Sequence, residues 1–258
     1  MAEILRFEKP ELPPMEPGAY IETATAADIR LSIDLIQSIG GGALTLIAGA
    51  PGVGKTRTLE KVCDETGQGS VYLSVAKGEG NPWNLATALL GQWRGSPLGN
   101  DLTGARHQLA GYIGPNRILL IDEAQHLDQK HKKTGERGAG FEWLRALADE
   151  AGCRLVFCGD LTLVPMIEGF PQLQSRMRRP VVIKAAKRSD VAAIASGFGV
   201  DFPDAVTALY QVSCHRGGLR NVENVLRMAA LFARGNVIEG GHLLSAIQDL
   251  NLAPKGGK

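Results

Sequence analysis

The sequence predicts an α/β fold, a parallel five-stranded sheet flanked by helices on both faces, followed by a small all-helical region. Short apolar runs at 44–48, 70–75, 118–121, 155–158 and 181–183 alternate with segments of helical periodicity. That is the pattern of strands buried on both faces by crossover helices. The first run leads directly into a glycine-rich octapeptide and then a helix-like segment. From about Lys187 the strand signals stop and helices succeed one another. The resulting division is an extended arm over 1–19, an α/β core over 20–186 and a helical lid over 187–258.

Each element has a local reason. Residues 1–19 are rich in proline and acidic side chains and lack periodicity, so they read as an arm or as a tail packed on a neighbour. Over 25–39, Ile29, Ile33, Leu35 and Ile36 support an amphipathic helix. Leu59, Val62 and Cys63 line the next helix, which Gly67 and Gly69 end. The run 70–75 reads as a buried strand. Asn81 caps a helix with Pro82 at its first position, running through Leu85, Leu89 and Trp93, and Asp101 caps another through Leu109 and Ile113. Then come strand 118–121, helix 141–150, strand 155–158, a helical stretch 161–168 and strand 181–183. The lid helices are capped at Ser189, opened at Pro203, and extended over 219–234 and 241–250. Trp83 and Trp143 sit at helical spacing among apolar neighbours and read as core or interface.

Composition sets limits. In 258 residues, 44% hydrophobic and 21% charged, there is enough apolar material for a sizeable core. No apolar run reaches the length of a membrane helix, and the first residues carry no signal-peptide core, so a cytoplasmic protein with no membrane partner is expected, in a bacterium or a phage-infected host. Cys63, Cys153, Cys158 and Cys214 form no CxxC pair, which argues against zinc and for buried free thiols. A net charge of +1 gives no global pull toward nucleic acid.

The octapeptide is Gly49-Ala50-Pro51-Gly52-Val53-Gly54-Lys55-Thr56, which reads GxxxxGKT. Glycines let several N–H groups converge on one phosphate, and the helix N-terminus adds positive charge. Lys55 reaches the β and γ phosphates, and Thr56 is placed to hold Mg²⁺. Arg57 is counted with the nucleotide-binding set. The expected cofactors are ATP and Mg²⁺. At the end of 118–121 stand Asp122 and Glu123. A buried strand delivers Asp122 to its tip as a second metal residue, and Glu123 suits a general base for the attacking water. The strand 155–158 ends in Gly159-Asp160. Asp160 either senses the γ-phosphate or caps the next helix. A second charge about 5 Å from another costs about 3 kcal/mol, so it must face Mg²⁺, an arginine, or away from the nucleotide.

Arg176, and after it Arg179, are placed to reach a neighbouring copy's γ-phosphate, a contact able to speed hydrolysis by about 10³–10⁵; an exposed basic turn is the alternative. Arg220, in the first turn of a lid helix, is placed to swing onto the phosphates or to pair with Glu223. Lys130, Lys132 and Lys133, with His131 and Arg137, form one basic patch. Arg178, Arg179, Lys184, Lys187 and Arg188 form another. Both suit salt-sensitive contacts to duplex backbone or simply solvated loops.

Together GAPGVGKT, ILLIDEAQHL, SRM and GGLRNVENVL resemble the AAA+ ATPases that assist DNA transposition, the group of phage Mu B protein, TniB and TnsC. The resemblance spans about 20–255. It implies ATP–Mg²⁺ at Lys55 and Thr56, hydrolysis by Asp122 and Glu123, a finger at Arg176 and a second sensor at Arg220. It also implies ATP-dependent self-assembly as a ring or helical filament on duplex DNA, and a transposase partner. Two departures stand out. Only 48 residues precede the loop, so the helical DNA-binding domain of Mu B is not expected and DNA contact falls to the core. Asp160 stands where relatives tend to carry a neutral polar residue. Secretion-associated ATPases of the ExeA type, helicase loaders and ATP-binding scaffolds are the competing readings.

Overall fold

The computed structural model describes residues 20–39, 41–95, 101–130 and 137–253. Five parallel strands form one sheet in the order β2-β3-β4-β1-β5: β1 Leu44–Gly49, β2 Ser70–Ser74, β3 Ile118–Asp122, β4 Arg154–Gly159 and β5 Val181–Ile183. Register runs Leu44↔Leu155 to Ala48↔Gly159 between β1 and β4, and Ser74 faces Asp122 between β2 and β3. The strand between the two motif strands is therefore β4, and the tips of β1, β3 and β4 lie side by side.

Strand alternation sorts the core into two layers. Leu44, Leu46, Ala48, Leu119, Ile121, Leu155 and Phe157 point to one face. There they pack under α3 (Pro82–Gly91), α4 (Leu102–Ile113) and α5 (Ala139–Ala151). Ile47, Ile118, Leu120, Val156 and Cys158 point to the other, under α1 (Ala24–Ile39) and α2 (Lys55–Thr66). Burial of both faces explains why these strands are continuous apolar runs. β2 is not such a strand. It is an edge, and of its residues only Val71 is buried, so the expected buried strand is corrected.

Helix boundaries follow their caps. Asn81 Oδ1 accepts from the Asn84 N–H at 3.0 Å, and Asp101 Oδ1 from Thr103 at 3.0 Å. Trp93 falls beyond α3 and stacks on Tyr112, with ring centroids 5.6 Å apart. Trp143 is core, whereas Trp83 is half-buried. Two short helices, α6 (Leu163–Glu168) and α7 (Pro171–Gln174), lead from β4 toward β5.

A separate apolar cluster gathers α8 (Arg188–Gly197), α9 (Pro203–Ser213), α10 (Leu219–Ala233) and α11 (Gly240–Asp249) around Val191, Leu209, Val222 and Leu226. The cap of α8 is Lys187, not Ser189. Asp190, fully buried, explains the shift: its carboxylate accepts from the Lys187 N–H at 3.4 Å and from the Thr25 N–H and hydroxyl at 3.1 and 2.5 Å. The same carboxylate therefore ties the start of α1 to the start of α8. The expectation of four buried thiols holds for Cys153 and Cys158; Cys63 is half-buried and Cys214 exposed. Burial pushes the Cys153 thiol up to about 12. Among the described residues, no helix is long and apolar enough to cross a membrane.

Candidate nucleotide site

The glycine-rich octapeptide spans the turn from the tip of β1 to the first turn of α2. Gly52 and Gly54 both hold positive φ, 76° and 95°. Val53 anchors the loop by burying its side chain in the core, and Ala50 donates its N–H to Ile183 of β5 at 2.9 Å. The Lys55 ammonium lies over the loop, donating to the Gly49 and Ala50 carbonyls at 2.8 and 3.0 Å. Thr56 is exposed.

The lid reaches this loop directly. The Leu219 N–H, at the start of α10, donates to the Gly52 carbonyl at 2.8 Å. A Cβ on Gly52 would overlap the Gly217 carbonyl, so only glycine permits the approach. Arg57 Nη1 reaches Glu223 Oε1 and Oε2 at 2.9 and 2.8 Å, and Arg227 reaches Glu223 Oε1 at 2.6 Å. Burial pushes the Glu223 carboxyl up, but the hydrogen bonds from Arg227 and Arg57 outweigh it and leave it below the usual range. The alternative pairing of Arg220 with Glu223 is therefore displaced. Arg220 is exposed, lines the cleft and makes no ion pair among the described residues.

Loop and lid enclose a cleft of about 500 Å³. Gly52, Gly54, Lys55, Thr56, Arg57 and Glu123 lie on one side of its chemistry, and Leu219, Arg220 and Glu223 on the other. Tyr20, Ile21 and Thr23 before α1, Ala26 in its first turn, Ile194 of α8 and Phe198 just after that helix add a partly apolar wall. Sequence reasoning missed that wall because no motif marks it.

Asp122 ends β3 with only 1% of its surface exposed. Its carboxylate accepts from the Tyr72 hydroxyl at 3.1 Å and from the Glu123 N–H at 2.9 Å. Burial first, and then the Asp122 charge, raise the pKa of Tyr72 well above its ordinary value. Burial also raises that of Cys158, whose thiol lies beside Asp122. Glu123 is exposed to the cleft, in the left-handed region at φ 53°, a conformation a non-glycine residue seldom adopts. Gln125 Nε2 donates to Glu123 Oε2 at 2.5 Å, and Gln125 Oε1 accepts from the Asp160 N–H at 3.1 Å.

The remaining expected residues lie elsewhere. Asp160 accepts from the Thr162 N–H at 2.8 Å and from its hydroxyl; Thr162 is itself the N-cap of α6, so these contacts shape the turn before the helix and are not the cap expected of Asp160. Arg176 pairs with Asp149 of α5. Arg179 binds the Asp28 carboxylate at 2.5 Å and the Asp28 carbonyl at 3.0 Å on α1. Both guanidiniums are partly exposed, at 38% and 34%, and neither lines this chain's cleft. Of the first basic patch, Lys130 is exposed and Arg137 sits 3.4 Å from Asp128; His131, Lys132 and Lys133 lie outside the described residues. In the second, Arg178, Lys184, Lys187 and Arg188 are exposed.

A family model described as an AAA domain matches residues 38–167, which hold the loop, the Asp122–Glu123 pair and four of the five strands. The chain belongs to the AAA domain family. Beyond this AAA core, a second model, described as the C-terminal part of Mu B transposition protein, matches residues 175–250. The AAA chain is 27% identical to the ATP-dependent target DNA activator B of Escherichia phage Mu over 260 residues, 94% of this chain and 76% of the relative. It is 26% identical to the Mu-like prophage FluMu DNA transposition protein B of Haemophilus influenzae, over 80% of this chain and 71% of the relative. Among solved structures it superposes on the Aeropyrum pernix ORC2 protein with a TM-score of 0.61 at 16% identity, covering 91% of this chain and 68% of that one. Domain III of Thermotoga maritima DnaA gives 0.58 at 17% identity, covering 91% and 95%. At those identities the two structures speak to the fold of the AAA chain alone.

Proposed function

We propose that this chain is an ATP-dependent ATPase of DNA transposition. It binds ATP with Mg²⁺ in the cleft, assembles with further copies on duplex DNA without sequence preference, and presents that DNA to a transposase. One observation carries the reading: the phosphate loop, Glu123 and Arg220 line a single cleft, with Asp122 buried directly behind Glu123, in a chain whose C-terminal part matches the Mu B model. The relatives favour this reading over the secretion-associated and helicase-loader ones.

The residues fit the magnesium form of the nucleotide. Among the described residues, no group of three or more His, Cys, Asp or Glu side chains gathers to cage a metal. The buried Asp122 carboxylate and the Thr56 hydroxyl are hard oxygen donors, and Mg²⁺ is commonly held by one or two protein oxygens, waters and the substrate's own phosphates. When bound, the ion neutralises charge that develops on the phosphates. Lys55, drawn from the Gly49 and Ala50 carbonyls, supplies positive charge to the β and γ phosphates. Arg220 adds charge from the lid, so nucleotide occupancy sets how firmly the lid stays closed. Ile21, Thr23, Ala26, Ile194 and Phe198 exclude water from the base. Glu123 takes the proton of the attacking water. Arg176, released from Asp149, acts on the cleft of an adjacent copy, with Arg179 as the second choice. Hydrolysis then works as a timer for disassembly.

DNA contact falls to Lys130, Lys132, Lys133 and Arg137 and to the basic residues around β5. Contacts to phosphate alone are sequence-independent and weaken steeply with salt. An electrophoretic shift on random duplex DNA tests the reading. Binding is expected with ATP and with a non-hydrolysable analogue, weak binding with ADP, and loss as salt rises. Glu123→Gln should bind ATP and remain locked on DNA. No shift at low salt with ATP and Mg²⁺ would refute the proposal.

A further inference from the structure

Glu123 has to be held still to act on a water, and its own backbone does not hold it. The Glu123 N–H is fixed on Asp122 Oδ1 at 2.9 Å, but the side chain is exposed. Among the described residues its carboxylate has one side-chain partner, the Gln125 amide, at 2.5 Å from Oε2. The other end of that amide is anchored in turn, since Gln125 Oε1 accepts the Asp160 N–H at 3.1 Å. The anchor is built into the backbone. A Cβ on Gly159 would overlap Gln125 Oε1, so the missing side chain at the tip of β4 gives this amide its room. Asp160's own carboxylate is engaged by Thr162, which leaves Gln125 as the neutral polar group at the β4 tip.

We propose that Gln125 is the positioning residue for Glu123, a strap from the tip of β4 that immobilises one carboxylate oxygen and leaves the other for the water. This rests on the reading of Glu123 as the base. A hydrogen bond holds the strap to Asp160's backbone, so a shift of the β4 tip is transmitted to Glu123.

The test uses the full chain, with kcat and KM for ATP measured beside the Kd of a fluorescent ATP analogue. Gln125→Ala should lower kcat by about 10- to 100-fold, the worth of one charge-assisted hydrogen bond, with the Kd within about twofold of the parent. Gln125→Glu keeps an acceptor for the Asp160 N–H but sets one carboxylate against another. The kcat of Gln125→Glu should fall at least as far, because the two carboxylates repel each other, with the Kd again within about twofold of the parent. Parental or faster turnover in either variant, or equal losses in kcat and Kd, would overturn the assignment. Absence of turnover in the parent would instead count against the ATPase reading. The strap stays testable in that case. The Gln125 side-chain amide resonance should move in Glu123→Ala, and an unmoved resonance rejects it.

Discussion

Replacing Glu223 with glutamine removes a charge shared by the phosphate-loop helix and the lid. Glu223 accepts from Arg57 at 2.9 and 2.8 Å and from Arg227 at 2.6 and 3.2 Å, with its side chain 24% exposed. Charge-assisted hydrogen bonds contribute about 1.5–3 kcal/mol when shielded, and exposed pairs about 0–1. Both arginines are more than a third accessible or close to it, at 39% and 35%, so the solvent discount is large. A glutamine still accepts one bond. The expected loss is about 1–2 kcal/mol, or about 2–8 °C in Tm for a chain of this size. The sign with pH follows from the depressed carboxyl. Its native form binds fewer protons than the unfolded one, so the contribution is complete above the unfolded pKa of about 4.3. It fades as pH falls through the lower folded value. Thermal melts of parent and Glu223→Gln should therefore differ fully at pH 7 and converge below about pH 4. Equal melting at pH 7, or a difference that stays constant down to about pH 3.5, would refute the latch.

Two further outcomes test the geometry. Gly52→Ala places a methyl against the Gly217 carbonyl at a φ of 76°. It should cost about 1–3 kcal/mol and weaken ATP binding at least about tenfold, read by melts and by titration with a fluorescent nucleotide; unchanged binding would remove the lid from the site. Mixing Arg176→Ala with Lys55→Ala protomers should restore turnover above either variant alone, because a protomer with an intact loop then meets a neighbour with an intact finger. Mixtures no better than their components would return Arg176 to its ion pair with Asp149.

The sequence disclosed what contiguous residues determine. β1, β3 and β4 were visible because burial on both faces leaves unbroken apolar runs, and Asn81 and Asp101 because a cap bonds to its own first turn. The run at β2 was misread because an apolar segment does not reveal its lateral place in a sheet. The start of α8 lies two residues earlier than expected because its Asp190 is bonded to Thr25, far away in the chain. The site divides along the same line. The loop and the Asp122–Glu123 pair are local in sequence, and they stand at the tips of β1 and β3. The wall of Ile21, Ala26, Ile194 and Phe198 converges from separate elements, so no spacing announced it. Arg57, Arg176 and Arg179 were legible as basic residues, but their partners Glu223, Asp149 and Asp28 come from tertiary packing. Gln125 lay in plain view two residues after Glu123; only the closeness of Gly159 shows why an amide belongs there.

Sedimentation of the purified chain with saturating ATP, Mg²⁺ and long duplex DNA bears most directly on the claim that nucleotide joins copies into a DNA-gripping assembly. Fast-sedimenting complexes that dissolve when ADP replaces ATP are expected. A species that stays monomeric under those conditions would contradict it.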